Sequence, residues 1–543
     1  LNAPAIDAGQ SRIQAWMAGL TRWQRRGLAF LAGVLATLGH APFQIAPAFI
    51  VAIVMLVWLL DAVQTSKTRH GSAFAVGWWF GFGHFASGLY WISSAFLVDS
   101  VSWGPIWGVP AVAALAGGLA LFWGAGAMAA MALWTNDFRR IAGFTLAMFA
   151  AEWLRGNILS GFPWLLAGYI WTPGEPFSQL AAVFGIYGLT AVTFLLAAAP
   201  ALIADRHTST AQRFAPMLVA GLMFGMAWGW GAQRLANAPV DPPGAQPIVR
   251  VADSGLSQAE KWTPRSDQEW RVLARYLAAS GGDDSRASIL VWPEGAIPVV
   301  NFFPLENPQF LDALGRGLGD RVLIAGFTRR ELVGREELYY NSAAVIDGVS
   351  GQPRLSQIYD KHHLVPFGEY IPLWNLVSNF NIAPLQRIGR GFESGAPPAR
   401  LVVPEAAPAV VLICYEAIFP GMIPRGEGRP GWIISVTNDA WFGGLQYFTG
   451  PWQHFAMARY RSIEEGLPMA RAASGGVSAI IDSFGRPVRM TIVAGAGVES
   501  QLPPALSDTL YTRWGVFLLL GLLVIIATLR FIPRPQVVKG NSG

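Results

Sequence analysis

The sequence predicts a multi-pass α-helical membrane domain of about eight transmembrane helices joined to an α/β domain. Three observations carry that expectation. Of the 543 residues, 53% are hydrophobic and only 13% are Asp, Glu, Lys or Arg, well away from the balance of soluble domains. Apolar stretches crowd the chain before residue 233 and return once after residue 512. Between them the texture changes to short β-rich runs alternating with polar helical segments. The organisation that follows is an N-terminal membrane domain over 1–233, a folded domain over 234–511, and a last helix with its tail over 512–543.

The apolar stretches cover 27–41, 46–63, 73–97, 108–134, 141–157, 178–203, 214–232 and 512–531. A helix needs roughly 20 apolar residues to cross hydrocarbon, and most of these reach that length. Pro42 and Pro47 interrupt the first run, so residues 27–60 read as a hairpin or as one long helix. Charge separates the two. Arg22, Arg25 and Arg26 precede the run and Lys67 and Arg69 follow it, and keeping both groups in the cytoplasm requires two crossings. Arg139 and Arg140, Arg206 and Arg213, then Arg530, Arg534 and Lys539 fall on that same side, while the alternate short loops hold only Arg155. Both termini are therefore expected in the cytoplasm and residues 234–511 on the far side. No small-residue cleavage site follows a short apolar core, so the first segment is expected to stay as an anchor. Trp91, Trp103, Trp171 and Trp514 at segment ends suit interfacial belts. Glu152 and Arg155 share a helical face near the end of the fifth segment, as a functional site or as an ion pair orienting the next loop. The paired broken helices of secondary transporters are not seen.

The formal net charge of +5 is unevenly placed. Residues 1–233 carry 11 Lys/Arg against 7 Asp/Glu, whereas 234–511 carry 24 against 27. Nucleic acid is thereby disfavoured as a partner, because its basic groove would have to sit in the folded middle. The single cysteine, Cys414, excludes an internal disulfide framework and multi-cysteine metal sites.

In the middle block, strands are expected near 248–253, 288–294, 321–327, 342–348, 355–361, 409–416, 431–439 and 477–485. Most are nearly unbroken apolar, as strands covered on both faces are. Helices are expected over 264–279, 307–317 and 451–465, giving an α/β sheet layered by helices. Ligands in such sheets gather beyond the carboxyl ends of strands. Glu294, Lys361 and Cys414 close three of the runs, 67 and 53 residues apart. A thiol attacks as thiolate, an ammonium lowers its pKa, and a carboxylate accepts its proton, so the three suffice for acyl transfer. Lys361 and the backbone N–H of Tyr415 are candidate donors to an oxyanion. Each residue alone has a plainer reading: Cys414 as a core hydrophobe, Lys361 as a surface lysine, Glu294 as a turn cap.

His362 and His363 are adjacent and face opposite ways on a strand, and neither a metal nor a cofactor is expected. Glu369 and Glu416 are further carboxylates that orient Lys361, share base duty, or are simply solvated. The pairs Trp441 with Phe442 and Phe302 with Phe303 read as loop packing or as cover for an acyl chain.

The strings VWPEGAIP, YDKHHLVPFGEYIP, LICYEAIFP and VTNDAWFG resemble the carbon-nitrogen hydrolase (nitrilase) superfamily with its Glu-Lys-Cys triad. With EWLRGNILSGFPWLLAGY at 152–169 they resemble, more narrowly, the apolipoprotein N-acyltransferase family. The resemblance implies a nitrilase-like αββα sandwich facing the periplasm, carried by eight helices of a bacterial inner membrane. It implies transfer of a fatty acyl group from the sn-1 position of a phospholipid, typically phosphatidylethanolamine, to the α-amine of a diacylglyceryl-cysteine apolipoprotein. By the same resemblance Cys414 is the nucleophile, Glu294 the base and Lys361 the stabiliser of the tetrahedral intermediate. Glu369, Tyr415, Glu416, Asn341 and Trp262 support the site or line its lipid entrance. The family often opens this domain with a Gln-x-Asn string and carries an Asn after the equivalent of Arg471; this chain has VADSGLSQAEKW and AASGG, so no role passes to Ser254, Gly255, Ser474 or Gly475. The alternatives are a membrane-tethered amidase in which water resolves the thioester, and a transporter or lipid-binding scaffold with an inactive hydrolase domain.

Overall fold

The structure is a computed structural model that describes residues 11–98, 105–206, 208–239, 246–348, 353–372, 374, 391–445 and 448–532. Trp103, Arg534 and Lys539 lie outside the described residues.

Every apolar stretch of the sequence forms helix, over Arg22–Thr37, Ala46–Val63, Arg69–Gly88, Gly108–Ala132, Arg139–Asn157, Ala181–Ala198, Thr210–Ala236 and Leu510–Thr528. Among the described residues, five helical stretches are long and apolar enough to cross a membrane: Ala46–Val63, Gly108–Ala132, Pro176–Ala204, Thr210–Ala236 and Leu510–Phe531. The other three fall short for visible reasons. Arg22–Thr37 has only 16 residues, Arg69–Gly88 is diluted by His70, Ser72 and His84, and Arg139–Asn157 carries four charged side chains. Thr210–Ala236 and Leu510–Phe531 are scarcely buried, leaving Leu218, Met226, Val516 and Phe517 exposed where hydrocarbon would cover them.

Small residues let the helices touch backbone to backbone. A Cβ placed on Gly33 would lie 2.0 Å from the carbonyl oxygen of Phe80, and one on Gly83 would lie 2.2 Å from that of Phe30. The helices Arg22–Thr37 and Arg69–Gly88 therefore cross at a distance only glycine permits.

Residues 248–501 form two facing sheets. The first has the order β11-β1-β2-β3-β4-β5 and the second β10-β9-β8-β7-β6. In the first, β1 (Ile248–Ala252), β2 (Ile289–Val291) and β3 (Val322–Val333) are parallel neighbours, while β4 (Glu336–Asp347) and β5 (Arg354–Asp360) run antiparallel to the strands before them. In the second, β6 (Ala409–Ile413), β7 (Trp432–Asn438) and β8 (Met469–Ser474) are parallel, and β9 (Ser478–Ile481) and β10 (Pro487–Thr491) follow antiparallel. β11 (Gly497–Gln501) returns to pair antiparallel with β1.

The unbroken apolar strands now have a reason. Ile289 and Val291 enter the core between the sheets while Leu290 packs under the helices Gln268–Ala279 and Pro308–Leu318. Val411 and Ile413 enter the same inter-sheet core while Val410 and Leu412 meet the helix Gly450–Glu465. Helix, sheet, sheet and helix are stacked in that order. The sequence reading missed β8, β10 and β11: β8 is an alanine-rich MARAAS, and β10 and β11 are partly exposed edges without alternation. The helix expected from 264 starts at Gln268, after a turn at residues 266–267.

Candidate active site

Both sheets deliver a residue to one point. Glu294 follows β2 by three positions, and Lys361 follows β5 directly. Both strands belong to the first sheet, while Cys414 follows β6 of the second. Lys361 Nζ lies 2.9 Å from Oε1 of Glu369 and 3.5 Å from Oε1 of Glu294. Asn341 Nδ2 donates to those same two oxygens at 2.7 Å each, so one amide and one ammonium hold the carboxylates together. The far oxygens are fixed by backbone: Oε2 of Glu294 accepts from the N–H of Asn438 at 2.9 Å, and Oε2 of Glu369 from that of Val365 at 2.8 Å.

Cys414 has φ of +50°, in the left-handed region, at the turn from β6 into the short helix Cys414–Ile418. A residue with a Cβ pays about 1–2 kcal/mol there, so its surroundings must impose the turn. Glu416 does part of this. Its Oε2 accepts from the N–H of Ile413 at 2.7 Å, and its Oε1 accepts from the Tyr359 hydroxyl at 2.6 Å and the N–H of His362 at 2.8 Å. The end of β5 and the end of β6 thus share one carboxylate. Glu416 is fully buried, which corrects the reading of it as a solvated charge.

A second anchor was not foreseen. His454 Nε2 lies 3.1 Å from the carbonyl oxygen of Cys414, and its Nδ1 lies 2.7 Å from Oδ1 of Asp439. Asp439 in turn meets Arg471 at 2.9 Å and accepts from Thr437 Oγ1 at 3.1 Å. These side chains are all buried. The signal available in the sequence was the Asn438-Asp439 pair at the end of β7, read there within VTNDAWFG for the family resemblance and for the aromatics that follow, with no role given to Asp439.

The electrostatics assign protonation states. Burial opposes the charge of Lys361, but Glu369 and then Glu294 outweigh it and raise the pKa above the ordinary lysine value. Lys361 is a cation at neutral pH. Burial pushes the Cys414 thiol up and Glu294 adds to this, while Lys361 only partly opposes them, so the resting thiol keeps its proton. Burial opposes the charge of Asp439 as well, yet Arg471 and His454 hold its carboxyl below the usual range.

The remaining expected residues divide. Tyr415 donates through its hydroxyl to the carbonyl of Gly161 at 2.9 Å and sits beside Phe419. Trp262 and Trp441 are 49% and 37% exposed, and neither hydrogen-bonds Glu294, Lys361 or Cys414 among the described residues. Phe442 packs on Trp91 at 4.4 Å and Phe302 among Trp270 and Phe310, which makes both packing residues. Phe303 stacks on Tyr339. His362 and His363 lie in a bend beyond β5 and not on a strand as expected, one reaching the carbonyl of Gly395 at 2.8 Å and the other that of Ser160 at 2.9 Å.

Ser160 and Gly161 belong to a turn held from inside the helical region. Arg155 and Glu152 form a fully buried ion pair at 2.7 Å, and Trp123 Nε1 donates to Glu152 Oε1 at 2.6 Å. Arg155 Nη1 donates to the carbonyl of Phe162, whose own N–H returns to the carbonyl of Arg155 at 2.9 Å. The pair orients the loop, and the loop touches His363 and Tyr415, each close in sequence to a strand-end residue of the site.

Comparison with known proteins bears on the whole chain. Residues 32–199 match the family described as apolipoprotein N-acyltransferase N-terminal domain, and residues 250–497 match carbon-nitrogen hydrolase. An apolipoprotein N-acyltransferase of Rhodopseudomonas palustris is 38% identical, covering 96% of this chain and 98% of that protein. One of Brucella melitensis is 37% identical over 94% and 96% of the two chains, and one of Caulobacter vibrioides 36% identical over 93% of each.

Proposed function

The chain belongs to the apolipoprotein N-acyltransferase family, and from that premise we propose that Cys414 carries a fatty acyl group from a phospholipid to a lipoprotein amine. The donor is the sn-1 ester of a phospholipid such as phosphatidylethanolamine, and the acceptor is the α-amine of a diacylglyceryl-cysteine. One observation carries the reading: a cationic Lys361 held between Glu369 and Glu294, beside a cysteine turned out of its strand end.

In the first half-reaction Glu294 takes the thiol proton as sulfur bonds to the ester carbonyl carbon. The oxyanion that forms faces the Lys361 ammonium and the N–H of Tyr415. Collapse expels the glycerol oxygen, which takes the proton from Glu294 and leaves as lysophospholipid, with the acyl chain on sulfur. In the second half the amine attacks the thioester, its proton passes to Glu294, and the thiol is restored as the amide forms. A thiol that rests protonated reacts only when the base and substrate are both in place, which limits idle chemistry with water. Asn341 and Glu369 set the two charged groups, Glu416 and Tyr415 hold the elbow, and Trp262 and Trp441 line the lipid entrance.

The surrounding arrangement in this reading is eight spans of a bacterial inner membrane, both termini cytoplasmic, with 1–233 and 512–543 membrane-embedded and 234–511 in the periplasm. The exposed apolar faces of Thr210–Ala236 and Leu510–Phe531 support it. Purified protein incubated with phosphatidylethanolamine and a diacylated lipopeptide tests the reading. Mass spectrometry should find acyl-Cys414 without the peptide and N-acylated peptide with it, and Cys414→Ala should yield neither while remaining folded. Free fatty acid without acylated peptide would show a hydrolase instead.

A further inference from the structure

The helix Arg69–Gly88 joins two different environments. At its last residue the carbonyl of Gly88 accepts from Gln453 Nε2 at 3.2 Å, on the helix that also carries His454. Its 20 residues place the first turn about 30 Å from there, one hydrocarbon thickness away. At that remote end lies a cavity of about 160 Å³, lined by Arg22, Arg25 and Arg26 on one side and by Thr68, Gly71 and Ser72 on the other.

Three features make this cavity an anion site. The first is unbalanced charge: no Asp or Glu is among the described residues that line it. Asp61 is the sole carboxylate between residues 21 and 72, and it is already held by Arg140 at 3.1 Å and Trp134 at 3.0 Å. Arg25 Nη1 reaches the carbonyl of Ala62 at 3.2 Å, and no carboxylate pairs with any of the three guanidinium groups among the described residues, so an anion entering the cavity is attracted by all of them. The second is the open first turn of the Arg69–Gly88 helix. Thr68 makes no side-chain cap to it, and nothing lies within 4 Å of where a Cβ on Gly71 would stand. The N–H of Arg69 is taken by the carbonyl of Ser66 at 3.1 Å, and the positive end of the helix dipole borders the cavity at Thr68 and Gly71. The third is the setting: Trp23 is exposed, Arg26 stacks on it at 4.6 Å, and Lys67 and Arg69 flank Thr68 in the chain. Exposed tryptophans with a basic cluster mark the headgroup level of a membrane.

We propose that Arg22, Arg25 and Arg26, with the first turn of the Arg69–Gly88 helix, bind a phosphate group presented by the headgroup of an anionic phospholipid. This lipid sits at the membrane face opposite Cys414 and is distinct from the acyl donor. The apolar floor of Val63, Ala75 and Val76 receives the glycerol end, and the guanidinium groups receive the phosphate oxygens.

The test uses the full chain in nanodiscs of phosphatidylcholine alone or with phosphatidylglycerol. Bound lipid is counted by native mass spectrometry after release into neutral detergent, and thermal unfolding is followed in parallel. A third arm adds inorganic phosphate to protein in neutral detergent. The wild type should retain phosphatidylglycerol and gain thermal stability from it. Arg22→Gln/Arg25→Gln/Arg26→Gln should retain it on the order of a hundredfold more weakly, and the single Arg22→Gln by an intermediate factor. Arg206→Gln/Arg213→Gln, which removes basic residues elsewhere, should behave as wild type. Unchanged acyl transfer in phosphatidylethanolamine-only discs reports that the triple variant is folded. Equal retention by wild type and triple variant would overturn the site. Equal protection by inorganic phosphate would overturn its assignment to a lipid.

Discussion

His454 Nε2 lies 3.1 Å from the carbonyl oxygen of Cys414, and through it the backbone of the proposed nucleophile is tied to Asp439 and Arg471. A carbonyl only accepts, so Nε2 carries a proton. The bond acts on the residue whose φ is +50°, and it offsets part of what that conformation costs.

Removing this tether should slow chemistry more than binding. Leaving a buried carbonyl unpaired costs about 1–3 kcal/mol, which is roughly a 5- to 150-fold effect if the elbow relaxes. His454→Ala should therefore lower the single-turnover rate of Cys414 acylation within that range with KM little changed. An unaltered acylation rate in a folded variant would show that the bond is merely structural.

Arg155 should act as a link between the helices and the elbow. Arg155→Met leaves the Glu152 carboxylate buried without its counter-charge and with Trp123 as its remaining donor, and a destabilisation of about 3–5 kcal/mol is expected in thermal unfolding. Glu152→Gln/Arg155→Met should recover most of that stability without recovering acylation rate, because the carbonyl of Phe162 still lacks its donor. Full recovery of both would reduce the pair to a packing element.

The two carboxylates on Lys361 should separate by pH. Glu369 comes first among the groups raising the pKa of Lys361, so Glu369→Gln should bring the alkaline limb of kcat/KM to lower pH while leaving a measurable rate. Glu294→Gln should abolish both half-reactions at every pH. Identical profiles for the two variants would contradict the division of labour between them.

Lys261 supplies a stability signature. It is buried, with Nζ 2.8 Å from Ser474 Oγ and 3.1 Å from the Tyr276 hydroxyl. Burial lowers its pKa to about 8, with Asp253 and Glu294 opposing. The unfolded chain therefore binds more protons than the native one from about pH 8 up to the ordinary lysine value, and stability rises with pH across that window. Below it the buried charge costs about 3 kcal/mol at most, from the shift itself. The stability gap between wild type and Lys261→Met should change across that window and be flat below it, as read from denaturation midpoints at stepped pH. A gap independent of pH would place the titration elsewhere.

Much of the site was legible because chemistry and position coincided. Glu294 and Cys414 stand at the end of apolar runs and Lys361 at the end of the mixed run LSQIYDK, and a strand end is a place a sequence reveals. Asn341 came through family resemblance alone, since a mid-strand amide has no local pattern, whereas Glu369 stood out only as a further carboxylate with its role left open. His454 and Arg471 were invisible for a physical reason: a buried polar group on a helix or inner strand breaks the apolar pattern that marks the core, and only its partners explain it. The edge strands β10 and β11 escaped because half-exposed strands lack an unbroken run. The helices Arg22–Thr37, Arg69–Gly88 and Arg139–Asn157 show the limit of apolar counting, as buried glycines in the first two and buried charges in the third serve contacts with neighbouring segments.

The pairing of Ile248 with Gln501 sets an order of events in biosynthesis. The outer edge of β1 waits for a partner that leaves the ribosome some 250 residues later, immediately ahead of the final hydrophobic helix. The sandwich is thus completed only once strand β11 has been synthesised, and until then an open strand edge needs shielding from its neighbours. Truncation anywhere before that last strand removes the closure along with the terminal anchor.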